Sequence, residues 1–368
     1  MVEILAADNR KTFREFLHFP FQLYAGDTHW VPQLIRDSKE LFSPKNPFFQ
    51  HAEVQPFIAR RDNRTVGRIT AIYNQAYVDF YDEKAGFFGF FDFLHDMDVA
   101  QALMNKVKQW LDAKGMTFMR GPMNFSSNEE WGLLIDGFDS PPMVMMPYNF
   151  DYYPGAYEQC GLKKAKDMYA YITDVPDIFP DKVYRVLKLA EKQGIRVRPI
   201  KLGSFKEEMK IFKNIYNSAW EKNWGFMPMS DMEIEHMAKK LKSIIVPELA
   251  LIAEQNGEAI GFMMFLPDFN YVLQKLNGRL FPFGIIKALW NSRKIKDARL
   301  LLLGIKEGFR RRGVDSVLFI EGLKGLKKHG YKRMEFSWVL EDNYNVQRVI
   351  ETMQGKLYKT YRVYEAEL

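Results

Sequence analysis

The sequence predicts an α/β (α+β) chain built from two similar halves. Three observations carry this reading. The same order of elements recurs, the length of 368 residues suits two domains of ordinary size, and 47% hydrophobic with 15% aromatic content is enough for packed cores.

In the first half, Pro56–Arg60 and Val66–Tyr73 flank the polar Arg61-Asp62-Asn63-Arg64, a hairpin pattern. A third apolar run, Ala85–Phe91, follows. Val99–Ala113 then carries Ala102, Leu103, Val107, Trp110 and Leu111 at helical spacing, with Gly115 placed to end the helix. Met116–Met119 reads as the next strand. The second half repeats the order. Leu249–Ala253 and Ala259–Phe265 flank Gln255-Asn256-Gly257-Glu258, whose Asn-Gly is a strong hairpin signal. A strand ending at Ile305, a helix over Ser316–His329, a strand over Met334–Val339, a helix over Asn343–Met353 and a strand over Leu357–Tyr364 complete it. The repetition suggests a tandem duplication joined near Val175-Pro176-Asp177 or in the segment up to Pro199, giving lobes 1–175 and 176–368.

The halves differ where chemistry is expected. Leu300–Ser316 reads as a buried strand, a basic loop with Gly308 and Gly313, and a helix start. Backbone N–H groups and the helix dipole converge there, and Arg310, Arg311 and Arg312 favour a phosphate-bearing ligand. The spacing is neither Walker A nor the dinucleotide G-x-G-x-x-G. After Phe91, the first half instead offers Asp92-Phe93-Leu94-His95-Asp96-Met97-Asp98, acidic and without glycine, which would repel a pyrophosphate.

Composition narrows the classes. The net charge of +6 suits an acidic ligand or an anionic surface, but no dense Lys/Arg stripe marks a nucleic-acid binder. Cys160 is the only cysteine, which fits a reducing compartment. The first ten residues carry no basic region followed by an apolar run, and no stretch approaches a spanning helix, so a cytoplasmic protein is expected. The six histidines are scattered, no Cys/His pair has zinc spacing, and no G-x-S-x-G is present; no metal is expected.

Leu300–Ser316 resembles the Q/R-x-x-G-x-G/A pyrophosphate loop of GNAT acyl-CoA N-acyltransferases. Arg310 stands at the Q/R position and Gly313 at the first glycine. Asp315 departs from the usual Gly or Ala, and as a good N-cap it sets a negative charge beside the proposed pyrophosphate. Asn343 and Asn345 open a helix that Gly355-Lys356-Leu357-Tyr358 ends, similar to the superfamily's last helix. Its frequent acid tyrosine is missing, with Ile350 or Thr352 in that place and Tyr358 the nearest replacement. Further phrases (Asn46–Val54, Gly121–Asn124, Asp136–Pro142, Met145–Asn149, Trp220–Phe226, Asn277–Gly284) resemble, over nearly the whole chain, a tandem GNAT-like family that includes bacterial ceramide synthases.

This resemblance implies two lobes, each a mixed, mostly antiparallel central sheet flanked by helices, the first a degenerate substrate or scaffold lobe. It implies acyl-CoA, or an acyl carrier, as co-substrate, no permanently bound cofactor, and transfer of a fatty acyl group to a sphingoid-type or other lipid amine. Leu303, Gly304 and Ile305 would supply backbone donors, with Arg310, Arg311, Arg312, Gly313, Val314, Asp315, Asn343 and Asn345 at the acyl-CoA site. Rival readings are an aminoacyl-tRNA-dependent transferase and a non-catalytic acyl-CoA-binding module.

Amine acylation also needs a proton acceptor. Glu130, Asp136, Glu221 and Glu341 are candidates from motif-rich segments, with Tyr358 as a candidate acid. The polar loop Asn124–Trp131, with Asn124 and Asn128, follows a strand and reads either as an amine contact or as the capping box of a helix. Trp220, Asn223 and Trp224 lie at helical spacing, as core packing or as a cleft wall. In the insertion Pro267–Lys296, residues 281–296 combine an apolar, aromatic face with Arg293, Lys294 and Lys296. That pattern suits either peripheral contact with the inner membrane face or a helix packed between lobes.

Overall fold

The computed structural model describes residues 1–176, 181–221 and 223–368, the side chains of 181–183 excepted. Of the expected join, Asp177 therefore lies outside the described residues, as does Lys222. The first half comprises β1 (Glu3–Ala6), α1 (Arg10–Leu23), α2 (Ile35–Leu41), β2 (Ala52–Arg61), β3 (Arg64–Asn74) and α3 (Gln75–Tyr81). It continues through β4 (Ala85–Phe93), α4 (Met97–Asp112), β5 (Phe118–Gly121), β6 (Met123–Asn124), β7 (Glu130–Trp131) and β8 (Leu133–Asp136). It ends with α5 (Tyr153–Gln159) and β9 (Lys163–Asp174). The second half opens with α6 (Asp181–Lys192), β10 (Ile195–Pro199), α7 (Phe205–Trp220), α8 (Asp231–Leu241), β11 (Ala250–Gln255) and β12 (Glu258–Pro267). After α9 (Asn270–Leu276) and α10 (Gly284–Ser292) come β13 (Asp297–Ile305), α11 (Val314–Lys328), β14 (Arg333–Leu340), α12 (Tyr344–Thr352) and β15 (Lys356–Glu367).

Local chemistry explains the main elements. In the β2–β3 hairpin Asp62 and Asn63 both take positive φ (49° and 59°), as do Asn256 and Gly257 (51° and 84°) between β11 and β12. Both turns thus have the twist that closes a two-residue hairpin. Helix α4 starts where Asp96 accepts the N–H groups of Asp98 and Val99. It buries Val99, Leu103, Val107 and Leu111, four positions on one stripe. Gly67 lets that stripe approach, since a Cβ there would lie 2.7 Å from Leu103.

Among the described residues, thirteen strands join one sheet in the order β1-β2-β3-β4-β5-β15-β9-β14-β13-β12-β11-β10, with β8 also on β15. Most neighbours are antiparallel; β4–β5 and β13–β14 are parallel. The mixed, mostly antiparallel architecture expected from the sequence is therefore present in both halves. The order hides an exchange that the sequence did not indicate. β15, the last strand of the second half, lies between β5 and β9, and β9, the last of the first half, lies between β15 and β14. Each half completes its sheet with the other's final strand, so the order reads alike from either end.

Two local expectations are corrected. Residues 124–131 form no helix: β6 and β7 pair directly, with Met123 opposite Trp131, because Ser126 turns the chain back instead of capping a helix. Trp220 is the last residue of α7, so Asn223 and Trp224 leave the helix for a loop in which Gly225 has φ 70°.

A buried polar knot fastens the first half's 137–146 loop to the second half's strands. Arg299 on β13 and Glu335 on β14 are 1% and 0% exposed and 3.5 Å apart. The Arg299 guanidinium donates to Ser337 Oγ (2.7 Å) and to the carbonyl of Val144 (2.8 Å). Glu335 also accepts from the hydroxyls of Ser337 and Tyr358. Lys359, equally buried, donates to the carbonyls of Gly137 and Ser140. Asp268 accepts the Val144 N–H at 2.8 Å, and burial pushes its carboxyl up to about 7. Removing one partner of such a pair strands the other charge in low dielectric. Arg299→Ala is therefore expected to lower the unfolding free energy by about 3–5 kcal/mol, and the double change of Arg299 and Glu335 to Met by less. Urea titration followed by circular dichroism checks this; a single-variant loss below about 1 kcal/mol would remove the knot from the account.

Candidate active site

The site begins where a parallel ladder stops. β13 and β14 pair from Asp297–Arg333 to Leu300–Phe336, and β13 then runs on to Ile305 with no strand partner on that side among the described residues. β14 meanwhile stays with β9 through a register shift between Phe336 and Val339. Lys306 donates its N–H to Ile260 on β12 at 3.0 Å. Alternation along the antiparallel ladder then turns the N–H groups of Leu303 and Ile305 toward the side β14 has left, and that of Gly304 toward β12. Of the three expected backbone donors, two face the gap. Gly304 has a different necessity: a Cβ there would lie 2.2 Å from the Trp220 ring, so only glycine lets that ring approach the strand.

The loop beyond β13 is held from the same helix end. Arg310 donates to the carbonyls of Ile305 (3.3 Å) and Ala219 (2.8 Å), tying the loop to the end of α7. Arg311 takes a positive φ of 62° and Arg312 lies 5.3 Å over the Phe309 ring. α11 begins at Val314, two residues before the expected start. Its N-cap is Gly313 with φ 81°, not Asp315, which sits in the first turn; the left-handed backbone at Gly313 starts the helix without a side-chain cap. The first N–H groups of α11 are left without a side-chain cap. Asn343 caps α12 by accepting the Val346 N–H at 3.4 Å, while Asn345 is exposed on the helix and away from the cavity.

The gap and the loop open on one cavity of about 940 Å³. Arg310, Arg311, Asp315 and Asn343 border one part of it, and Phe212, Trp220, Met229, Leu301, Leu302 and Phe336 give it apolar walls. The first half contributes Asn128, Trp131, Lys166 and Met168. Asn128 accepts from the Tyr216 hydroxyl (2.6 Å) and donates to the carbonyl of Met227, tying α7 and the loop after it to the first half. Trp131 and Trp224 stack at 5.2 Å and 6°. Lys166 lies 5.7 Å over Trp224 and pairs with Asp342 at 2.9 Å, holding that carboxyl below its usual range. The cavity thus gathers Asn128, Trp220, Asn223 and Trp224 with Arg310, Arg311 and Asp315 of the loop, whereas Arg312 and Gly313 are outside its lining and Val314 is buried in the core. Lys166, Trp131, Trp338 and Asp342 escaped sequence reasoning. Lys166 arrives on the exchanged strand, and no local signal places it there.

The remaining candidates lie elsewhere. Glu221 is exposed beyond α7, Glu341 pairs with Lys164 at 2.5 Å, and the Tyr358 hydroxyl is bound to Glu335 in the knot. Asp136 ends β8. Glu130 and Asn124 border a separate cavity of about 150 Å³ in the first half. There Glu130 accepts from Asn124 (3.2 Å) and Gln33 (3.3 Å), and burial pushes its carboxyl up to about 7. Among the described residues no cluster of three or more His, Cys, Asp or Glu is placed to hold a metal ion.

The first half's counterpart of the gap is filled. β4 and β5 part after Phe87–Arg120, but a Cβ on Gly89 would lie 1.9 Å from the Met123 carbonyl, and Asn124 accepts the Phe90 N–H at 2.9 Å. Tyr153 accepts the Phe93 N–H, and Asp96 is taken up by the α4 cap and Arg61.

Comparison with known proteins agrees with this asymmetry. The Acetyltransferase (GNAT) family pattern matches residues 209–355, within the second half. The chain is 38% identical to bacterial ceramide synthase of Caulobacter vibrioides (strain NA1000 / CB15N), across 96% of this chain and 94% of that protein. It is 34% identical to Protein YghO of Escherichia coli (strain K12), across 98% and 94%. A tandem GNAT protein from the clavulanic acid biosynthesis pathway superposes with a TM-score of 0.59 at 11% identity, covering 100% of this chain and 98% of that one, a likeness of fold.

The contact of Trp220 with Gly304 yields a direct test. Gly304→Ala should destabilise the protein by about 1–3 kcal/mol, and Trp220→Leu in the same chain should recover part of the loss. Thermal unfolding of the two single variants and the double variant measures the coupling; additive losses would show that the two residues do not pack as described.

Proposed function

Because the chain belongs to the family of tandem GNAT N-acyltransferases that contains bacterial ceramide synthase, we propose that it transfers a fatty acyl group from acyl-CoA, or an acyl carrier, to a sphingoid-type or other lipid amine. One observation carries the reading. An unpaired strand edge with inward N–H groups and an uncapped helix N-terminus border the same large cavity. In this reading the first turn of α11 and Arg311 receive the pyrophosphate, and the Leu303–Ile305 edge aligns the pantetheine and its thioester. The amine's lone pair attacks the thioester carbon and its proton leaves. The carbon–sulfur bond then breaks and the thiolate is protonated as it departs. Preorganised backbone donors suit the oxyanion formed on the way. The first half, its own gap filled, serves as the substrate and scaffold lobe, with the division at 175/176.

A fatty rather than a small acyl group is favoured by the apolar walls and by residues 281–296. Phe283 and Ile286 are 68% exposed and Trp290 60%, beside Lys287, Arg293 and Lys294. Among the described residues no helix is long and apolar enough to cross a membrane. Peripheral contact at the cytoplasmic face of the inner membrane fits an amphipathic face with cationic edges.

Two measurements test this function. Arg310→Ala with Gly313→Asp is expected to abolish palmitoyl-CoA binding in calorimetry while the circular dichroism spectrum stays unchanged; intact affinity would overturn the co-substrate site. Phe283→Glu with Ile286→Glu should remove co-sedimentation with vesicles containing phosphatidylglycerol, and equal sedimentation of both proteins would refute the membrane face.

A further inference from the structure

Among the described residues, the first-half cavity presents a carboxylate without a cation of its own. Its charged lining consists of Arg68, Asp92 and Glu130. Arg68 already pairs with Asp92 at 2.6 Å and donates to the carbonyl of Phe16. Glu130 receives only the neutral amides of Asn124 and Gln33, and Glu129 beside it adds a further negative charge. A half-buried carboxylate with amide donors alone is incompletely compensated, and a cation would stabilise it. The walls facing it are aromatic: Phe21, Tyr24, Trp30, Phe42, Phe90 and Tyr148. Rings of this kind attract an ammonium through their π faces.

The same cavity adjoins the insertion that carries the exposed apolar face. A Cβ on Gly278 would lie 2.5 Å from the Phe21 ring, and Ile35 donates its N–H to the Gly278 carbonyl at 3.2 Å. Gln274 bonds the Thr28 carbonyl, and Leu34 packs on Val272 and Leu276. The segment 28–35, which supplies Trp30, Val31 and Gln33 to the cavity, is thus seated against α9 and the turn leading to α10. On the opposite side, the β6–β7 hairpin separates the two cavities. Asn124 and Glu130 face this one, and Asn128 and Trp131 face the acyl cleft.

We propose that the first-half cavity is a holding site for the acceptor before reaction: it takes the ammonium head of an amphiphilic primary amine at Glu130, delivered from the apolar face of residues 281–290, and the amine leaves Glu130 to reach the thioester across the β6–β7 hairpin. This rests on the acyl-transfer reading above and assigns its acceptor a place beside the acyl cleft. The groups around Glu130 set its pH behaviour: Arg68 favours the carboxylate, while Asp92, Glu129 and burial oppose it. The carboxyl is held at about 7, so it is charged above that pH and neutral below. An alkylamine stays protonated throughout that range. Affinity therefore falls as the medium is acidified.

Dodecylamine, below its micelle-forming concentration, is the probe, with calorimetry as the readout. Glu130→Gln should weaken its binding about tenfold, whereas Glu130→Asp keeps most of it and palmitoyl-CoA affinity is unchanged in both. Wild-type affinity should drop between about pH 8 and about pH 6, with a flat profile in Glu130→Gln. Equal affinity in wild type and Glu130→Gln, or a flat wild-type profile, would overturn the site. Binding through Glu130 without any acylated amine would leave the site standing and sink the transfer reading. Acylation with an unchanged KM in Glu130→Gln would do the reverse.

Discussion

The exchange of final strands between the halves is the constraint on which the rest of the molecule depends. β9 and β15 pair with each other and with the opposite half, so the centre of the sheet consists of strands from both. Their inward residues, among them Met168, Ala170, Tyr361 and Val363, form one hydrophobic cluster with Phe87, Trp131 and Met227. Burial of this kind is the main stabilising term, and here neither half can collect it alone. Pairing Tyr364 with Gly121 also closes a very long loop, which makes the central sheet a slow, non-local element of folding.

The exchange creates the cleft as well as the core. With β9 inserted beside β14, that strand follows its new neighbour past Phe336 and abandons β13. The backbone groups of β13 left without a strand partner are the ones turned into the cavity. Lys166 and Met168 come to its wall on the same borrowed strand. The Arg299–Glu335 knot lies where the two strands part and brings in the carbonyls of Val144 and Met145 from the first half. Its bonds satisfy most of the polar groups that burial strips of water, which is the condition under which such charges are tolerated.

The two halves carry one architecture with different interiors. In the second half the opened strand pair is free to receive a ligand. In the first, Met123 and Asn124 occupy the equivalent space, and Tyr153 and Asp96 take up the polar groups beside it. What remains of the first cleft is a small aromatic cavity around Glu130. The two cavities lie on opposite faces of a single short hairpin, because neighbouring residues of a strand, Glu130 and Trp131, point to opposite sides.

The sequence by itself determined most of the elements and singled out the basic loop after Ile305. Period-two hairpins with Asp-Asn and Asn-Gly turns and the Val99–Leu111 stripe are local patterns, and local patterns survive reading one residue at a time, whereas the start of α11 at Gly313 rather than at Asp315 was set by the backbone. The difference between the acidic, glycine-free loop after Phe91 and the basic loop after Ile305 was legible for the same reason. Glu130 could be named as a candidate, but not its cavity. Trp220 and Trp224 read as one helical face until the helix ended between them. The strand exchange, the assignment of Lys166 to the cleft and the withdrawal of Tyr358 into the knot were decided only by tertiary structure. Each depends on which strand lies beside which, and that choice is made by burial summed over residues far apart in the chain, which no local spacing records.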